Sequence, residues 1–311
     1  MPSLAGLDAR LGLAGGTQLS TIDAVRRDAR WAEHAGFDSY WVSYVAGVDP
    51  LVALAVVAAD TTDIELGTSV VPTVGRHPIA LAQLARTTQQ ACQGRFTLGI
   101  GPSHQVVAEA LYGEPWDRPL ERTREYLHAL VPLCEGRAAA VDGAQITAHQ
   151  TLDVPCEPVP IVLAALGPGM LRLAGELTAG THVGQTGPRT IASHTAPLLQ
   201  AAAHEAGRAD PRIIALVNLC VTDDPAAVRA AAAPGAANYA ALPSYAAMLE
   251  REGIDDATEL ILAGSIDQIL DGLATYVDAG ATDLRLGVMA PDESHRRATL
   301  DALADSLGGR P

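Results

Sequence analysis

Apolar residues along the chain form two alternating patterns, short continuous runs and longer stretches with a helical period. Two such runs cover residues 64–72 and 95–104, and the stretch between them, 78–93, carries apolar residues at the spacing of one helix face. Pro78 begins this stretch and Gly94 ends it, which is typical of a helix. The pattern therefore predicts a strand, a helix and a second strand.

The same unit repeats along the chain. The eight predicted strands cover residues 9–14, 37–42, 64–72, 95–104, 161–165, 180–185, 212–221 and 281–288. Helical stretches separate them, and each crossover is long enough to join parallel neighbours. We therefore predict an α/β fold, a (β/α)8 TIM barrel in a single domain over residues 1–311. An open doubly wound sheet ranks lower, because no Gly-x-Gly-x-x-Gly follows the first strand.

Two segments interrupt the repeat, at about residues 113–160 and 235–259. The first contains scattered polar residues with prolines and glycines, and the second is a polar excursion. Barrel enzymes carry such insertions at the C-terminal mouth, where the loops that follow the strands build the site. We therefore predict that both segments are insertions at the mouth.

Composition and charge restrict the partners. Hydrophobic residues make up 48% of the chain and aromatic residues only 4%, which favours small side chains packed on a parallel sheet. The net charge of −15 argues against nucleic acid and against an anionic membrane surface. No apolar run reaches the roughly 18 residues that span a bilayer, and the N-terminus lacks a signal-peptide pattern. We expect a cytoplasmic protein that acts on a small molecule.

Candidate chemistry lies at the predicted C-terminal strand ends. Ser69 and Val70 end the third strand, and Gly101, Ser103 and His104 end the fourth. His104 comes one residue after a Ser that can cap a helix, so its imidazole is predicted to point into the mouth. The alternative is that Ser and Thr are ordinary in strands and that a lone His is structural. No His, Asp or Glu set has metal-ligand spacing, and the four cysteines are far apart, so no metal site is predicted.

Glycine-rich turns at residues 167–169 and 186–189 both precede predicted helices. Backbone N–H groups at a helix N-terminus bind anions, and Arg189 would add a fixed charge. Such turns are common, but two of them on adjacent strands match the phosphate site of many barrels. Three other histidines lie in predicted helices and are expected at the surface: His128, His194 and His204.

Several of these motifs resemble the luciferase-like superfamily of flavin and deazaflavin oxidoreductases. Within it the chain is most similar to the branch that uses coenzyme F420, an 8-hydroxy-5-deazaflavin. The motifs that carry the resemblance cover most of the chain and lie at residues 66–70, 76–78, 94–101, 117–119, 164–168 and 186–187.

The resemblance implies a homodimer and a cis peptide bond behind the deazaflavin ring, which falls here on Ser69–Val70. Ser69, Val70 and Gly101 would then contact the cofactor. The phosphate contacts that the resemblance implies fall on the two glycine-rich turns, at Leu166, Gly167, Thr186, Gly187 and Arg189.

The chain departs from the family pattern after the second strand. Relatives that oxidise sugar phosphates or alcohols carry an acid or a His-rich motif there, whereas residues 41–47 of this chain lack both. Glucose 6-phosphate oxidation is therefore disfavoured, and the acid/base role moves to His104, Tyr44 or Ser103. We expect hydride transfer between F420 and a small organic substrate. An FMN-dependent monooxygenase and a non-catalytic flavin-binding protein remain the alternatives.

Overall fold

Parallel strands close into a barrel in the structure, a computed structural model that describes residues 4–15, 21–43 and 47–308. The strands within these residues are β1 Arg10–Ala14, β2 Ser39–Val42, β3 Glu65–Thr68, β4 Val71–Pro72, β5 Phe96–Gly101, β6 Ala139–Asp142, β7 Thr147–Gln150, β8 Ile161–Ala164, β9 Gly180–Val183, β10 Arg212–Val221, β11 Leu262–Gly264 and β12 Asp283–Val288.

Eight of the strands in the described residues form the barrel wall. Its order is β1, β2, β3, β5, β8, β9, β10 and β12, and β12 pairs with β1 to close it. Every pairing around this circle is parallel. Strands β3 and β4 are two parts of one interrupted strand, since both pair with β5. The predicted (β/α)8 barrel is confirmed.

Helices surround this wall. The α-helices of the described residues are α1 Ile22–Ala35, α2 Pro50–Val57, α3 Pro78–Ala91, α4 Gln105–Tyr112, α5 Pro119–Cys134, α6 Pro168–Leu177, α7 Pro188–Thr190, α8 Ala196–Glu205, α9 Pro225–Ala240, α10 Pro243–Glu252, α11 Ile266–Asp278 and α12 Glu293–Leu307. A π-helical stretch, Ile191–Thr195, joins α7 to α8. In the part of the chain that the structure describes, none of the helices has the length and apolar character needed to cross a membrane.

Local sequence explains where the helices begin. Asp49 accepts hydrogen bonds from the first backbone N–H groups of α2, and Pro50 occupies the first turn. Ser265 and Gln268 form a capping box at the start of α11. Gly36, at φ 94°, ends α1 in the left-handed conformation that glycine adopts easily.

The two interruptions of the repeat contain regular structure that the sequence pattern did not predict. In the first, β6 and β7 form an antiparallel hairpin. In the second, α9 continues past Pro234 to Ala240 and α10 follows at once, so the predicted polar excursion is largely helical. Strand β11 was also missed, because three residues are too few to show a period.

The indole of Trp41 packs inside the barrel. Trp41 is fully buried, and a Cβ atom on Gly67 would lie 2.1 Å from its ring. A Cβ on Gly12 would lie 2.8 Å from the indole nitrogen. Glycine at these two strand positions is therefore required by the volume of Trp41. The C-terminal strand ends lie above this layer.

Candidate active site

The interruption between β3 and β4 forms a fixed shelf at the mouth. The Ser69–Val70 peptide bond is cis, as the resemblance implied. Gly101 packs against this bond, since a Cβ there would lie 3.0 Å from Val70 Cγ2. The neighbouring Thr68 hydroxyl donates to Gly99 O at 2.8 Å and accepts from Gly99 N at 2.9 Å. These contacts hold the end of β3 against β5.

A buried arginine from β12 lies against the shelf. Arg285 is 9% exposed, and its Nη1 donates to Ser69 O at 3.2 Å and also to Ser69 Oγ. Within the described residues no carboxylate pairs with Arg285, and its buried Nε has no hydrogen-bond partner. Burial lowers its pKa to about 10, against the opposing influence of Tyr245 and Tyr239. The guanidinium therefore remains charged at neutral pH.

A second unpartnered group lies on the floor of the mouth. His182, on β9, is 6% exposed, and neither ring nitrogen has a hydrogen-bond partner among the described residues. Its ring meets Trp41 edge-on, with 4.8 Å between the centroids. Burial and then the charges of Arg285 and Arg212 hold its pKa well below the ordinary value, against the opposing influence of the Thr68 backbone, so the imidazole is neutral. We call Ser69, His182 and Arg285 the floor cluster.

Two of the predicted acid/base residues, Ser103 and His104, follow β5, which is the neighbour of β3 in the barrel. His104 itself is the N-cap of α4, so the expectation that Ser103 caps this helix is wrong. Ser103 instead adopts a left-handed φ of 70°, which turns the chain from β5 into the helix. Burial lowers the pKa of His104, so the neutral imidazole predominates at pH 7. Tyr44 lies outside the described residues.

The second insertion brings two tyrosines over the mouth. The Tyr245 ring lies 5.5 Å from the His104 ring, and Tyr239 meets Tyr245 at 5.5 Å with an interplanar angle of 88°. Tyr239 is 46% exposed, while burial raises the pKa of Tyr245 to about 12. These three side chains form an aromatic wall, defined here as His104, Tyr239 and Tyr245.

The first glycine-rich turn leaves a helix N-terminus open. Gly167 is the N-cap of α6, and no side chain caps this helix. The Leu166 carbonyl just before it lies 2.8 Å from His194 Nε2. His194 is buried rather than at the surface, because its ring reaches this carbonyl from the π-helical stretch. His128 and His204 are exposed, as predicted.

The second turn already holds an anion, which comes from the chain itself. The Glu252 carboxylate accepts from Arg189 N at 3.1 Å and from Thr190 N at 2.8 Å. The Arg189 guanidinium donates to Glu252 O at 3.4 Å, and Thr186 Oγ1 donates to Gly184 O at 2.9 Å. A phosphate was expected at Gly187 and Arg189. The structure instead has the Glu252 carboxylate of α10 at this position.

The structure therefore brings the floor cluster, the aromatic wall and the first turn to one end of the barrel. Arg285, His182, Tyr245 and Glu252 were not singled out from the sequence. A signal for Arg285 was present, because it is the one basic residue in the strand-like run of 281–288. Nothing comparable indicated Tyr245 or Glu252, which lie far along the chain from the groups that they contact.

A closed parallel barrel with unpaired polar groups at its C-terminal strand ends defines an enzyme of the (β/α)8 class. A family model for luciferase-like monooxygenase matches residues 5–283. The chain belongs to this luciferase-like family, which confirms the resemblance.

Its relatives are consistent with this assignment. An F420-dependent glucose-6-phosphate dehydrogenase of Beutenbergia cavernae is 32% identical over 89% of each chain. A 5,10-methylenetetrahydromethanopterin reductase of Methanolobus tindarius is 30% identical over 76% of this chain and 73% of its own. Among solved structures, the coenzyme F420 dependent tetrahydromethanopterin reductase of Methanopyrus kandleri superimposes with a TM-score of 0.79 at 21% identity, covering 96% of this chain and 98% of that one.

Proposed function

We propose that this enzyme is an oxidoreductase that transfers a hydride between coenzyme F420 and a small organic substrate. The observation that carries the proposal is the relative from Beutenbergia cavernae, which is F420-dependent by name and aligns with 89% of this chain. The family also includes monooxygenases by name, so an FMN-dependent monooxygenase remains the second candidate.

Two strand ends at the proposed phosphate side border open space. A Cβ atom added to Gly167 or to Gly184 would meet nothing within 4 Å, so both strand ends border open space. The N-terminal N–H groups of α6 have no side-chain cap and are free to bind an anion. These features fit the family's cofactor.

Each side of the mouth then has a role toward the cofactor. Ser69, Val70 and Gly101 would support the ring. Leu166, Gly167 and Thr186 would contact the phosphate. Gly187 and Arg189 would reach it only after Glu252 leaves the α7 N-terminus.

The bound deazaflavin would supply or accept the hydride, and the chain would supply position and electrostatics. The aromatic wall would limit the access of water to the reacting atoms. His104 would hold or release the accompanying proton, because its lowered pKa leaves a neutral imidazole at pH 7. Tyr44 and Ser103 are the other residues proposed for this role.

Cofactor titration of the purified apo-protein tests the proposal. We expect micromolar or tighter binding of F420, seen as a change in its fluorescence, and weaker binding of FMN. Tight binding of FMN alone would assign the chain to the monooxygenases, and binding of neither would contradict both candidates. Size-exclusion chromatography in the same preparation tests the homodimer that we also propose.

The role of His104 has its own test. His104→Gln should lower turnover by about 100-fold or more if the imidazole carries the proton. The affinity for F420 should stay within about twofold, because His104 is not one of the proposed cofactor contacts. Ser103→Ala serves as the matched comparison, and an effect confined to that variant would move the proton to the hydroxyl.

A further inference from the structure

The buried charge of Arg285 has no counter-ion in the described residues. Its Nη1 is bonded to the neutral oxygens of Ser69, while its Nε has no partner. The protein as a whole carries a net charge of −15, so carboxylates are abundant, yet none pairs with this guanidinium where the structure describes the chain. A buried arginine is normally retained with an anionic partner, because desolvation of the unpaired charge is costly.

His182 adds a second unsatisfied group to the same floor. Both of its ring nitrogens are buried without a partner in the described part of the chain, and the charge of Arg285 acts on its imidazole. A neutral imidazole has one N–H to donate, and a guanidinium presents several donors in a fixed plane. Together they can offer donors to an acceptor with two oxygens in one plane.

Gly287 leaves a gap in the side chains of β12 beside Arg285, and Asn218 of β10 partly fills it. Side chains of a strand alternate between the two faces, so Gly287 is the next residue of β12 on the same face as Arg285. Glycine has no side chain, so β12 itself does not cover the guanidinium from above. The nearest polar atom to a Cβ built at Gly287 is Asn218 Oδ1, at 2.6 Å.

The aromatic wall indicates the rest of the ligand. His104 and Tyr245 lie with their rings 5.5 Å apart, and Tyr239 extends the surface at 5.5 Å from Tyr245. The hydroxyl groups of both tyrosines also act on the charge of Arg285, so the wall and the guanidinium lie within electrostatic range of each other. Aromatic side chains in this arrangement favour a flat, apolar ligand body.

We propose that Arg285 and His182 form an anion subsite on the floor of the mouth that takes the planar carboxylate of an aromatic or conjugated substrate. This proposal specifies the substrate class of the proposed oxidoreductase. Binding of the carboxylate does not depend on that function, but the reaction that follows binding does. A carboxylate matches the planar guanidinium with two parallel hydrogen bonds. The Ser69 contact orients the guanidinium for this partner.

Calorimetry on the cofactor-free protein tests the subsite with benzoate and its neutral isostere benzamide. We expect wild-type protein to bind benzoate at least about tenfold more tightly than benzamide, since hydrogen bonds to charged partners are the strong ones. Equal affinity for the two probes would overturn the proposal. This comparison needs no variant, so it stands even where a substitution disturbs folding.

Variants locate the effect. Arg285→Gln should remove the preference for benzoate, and Arg285→Lys should weaken it because an ammonium cannot form the planar fork. Arg124→Gln is the matched control, since it removes one positive charge from an exposed pair with Glu176. Benzoate selectivity that persists in Arg285→Gln, or that is lost equally in Arg124→Gln, would contradict the assignment. Circular dichroism checks that each variant is folded.

A separate titration with F420 distinguishes the substrate from the cofactor as the source of the anionic group. If Arg285→Gln loses F420 affinity while wild-type protein shows no preference for benzoate, the guanidinium serves an oxygen of the cofactor and the substrate assignment fails. If F420 affinity is kept and benzoate selectivity is lost, the assignment is supported. Failure of wild-type protein to bind F420 would contradict the proposed function. The benzoate comparison would still decide whether the anion subsite exists.

Discussion

Two arginines on barrel strands, Arg212 and Arg285, have opposite surroundings. Arg212, at the N-terminal end, donates to Glu65 Oε1 at 2.8 Å and to Asp283 Oδ2 at 3.2 Å. Burial works to lower its pKa, but its bonds to Asp283 and Glu65 leave the pKa raised. Arg285, at the mouth, has a pKa lowered to about 10. One end of the barrel is electrostatically complete, whereas the other retains an unpaired charge.

The difference indicates how the two ends divide stability and function. At the N-terminal end Arg10 joins the network, with its Nη1 2.5 Å from Glu65 Oε2, and Thr97 donates to the same glutamate. Every charge there has its counter-ion within the chain. In barrels the C-terminal end carries the chemistry. An unpaired cation there is consistent with a ligand that completes it.

The largest expected effect is a difference in the free energy of unfolding between variants of the two arginines. Arg212→Met should lower the free energy of unfolding by about 3–5 kcal/mol, because it leaves Glu65 and Asp283 with the more exposed Arg10 as their remaining cation. Arg285→Met should change it by only about 1 kcal/mol, because it removes an unpaired charge along with two hydrogen bonds to Ser69. Urea unfolding followed by circular dichroism measures both.

Arg124→Met provides the surface reference for this pair of variants. Arg124 pairs with Glu176 at 2.7 Å on the exterior, and its loss should cost about 1 kcal/mol or less. If Arg285→Met were as destabilising as Arg212→Met, the guanidinium at the mouth would be structural. The contrast between the two ends would then be wrong.

A smaller effect is expected at the second glycine-rich turn, where the Glu252 carboxylate accepts from backbone N–H groups. Gly187 has an extended backbone that alanine tolerates, but a Cβ there would lie 2.3 Å from Glu252 Cδ. Gly187→Ala should therefore displace the carboxylate from Arg189 N and Thr190 N and cost about 1–3 kcal/mol. It should also loosen α10, which carries Tyr245, as seen by faster amide hydrogen exchange in that helix.

A double-mutant cycle isolates this contact. Glu252→Ala removes the group that the new methyl would strike, so Gly187→Ala should cost less in that background. The expected coupling between the two substitutions is about 1 kcal/mol. Strictly additive effects would show that the carboxylate does not hold the second insertion in place.

The barrel could be predicted from the sequence because each of its strands is visible as a local run of apolar residues. The run at 212–221 is almost continuously apolar, and the observed strand has the same limits. The hairpin of β6 and β7 was missed because each strand has only four residues and neither shows a clear alternation of apolar and polar positions. The excursion predicted from residue 235 also begins too early, since α9 continues through Pro234 to Ala240.

The site was less accessible from sequence because its parts meet only in the folded chain. Ser69 and His104 follow strands directly, so the barrel rule placed both at the mouth. His182 and Arg285 lie inside strands, and what distinguishes them is that both His182 ring nitrogens and Arg285 Nε are buried without a hydrogen-bond partner in the described residues. The second insertion could not be placed over His104 without the three-dimensional contact with Tyr245.

The smallest expected effect is on the way the free energy of unfolding changes at acidic pH. Burial works to raise the pKa of Glu65, but the charge and hydrogen bond of Arg212 leave it lowered. A carboxylate with a lowered folded-state pKa stabilises the fold above its unfolded pKa, and this contribution is lost as the pH falls through the folded value. The free energy of unfolding should therefore decline below about pH 4.5, less steeply in Glu65→Gln. Arg285→Met should follow the wild-type acid dependence, because no carboxylate pairs with Arg285 among the described residues. Urea unfolding at several pH values between about 3 and 6 measures these slopes. A flatter slope in Arg285→Met would reveal a hidden acidic partner at the mouth and remove the contrast between the two ends.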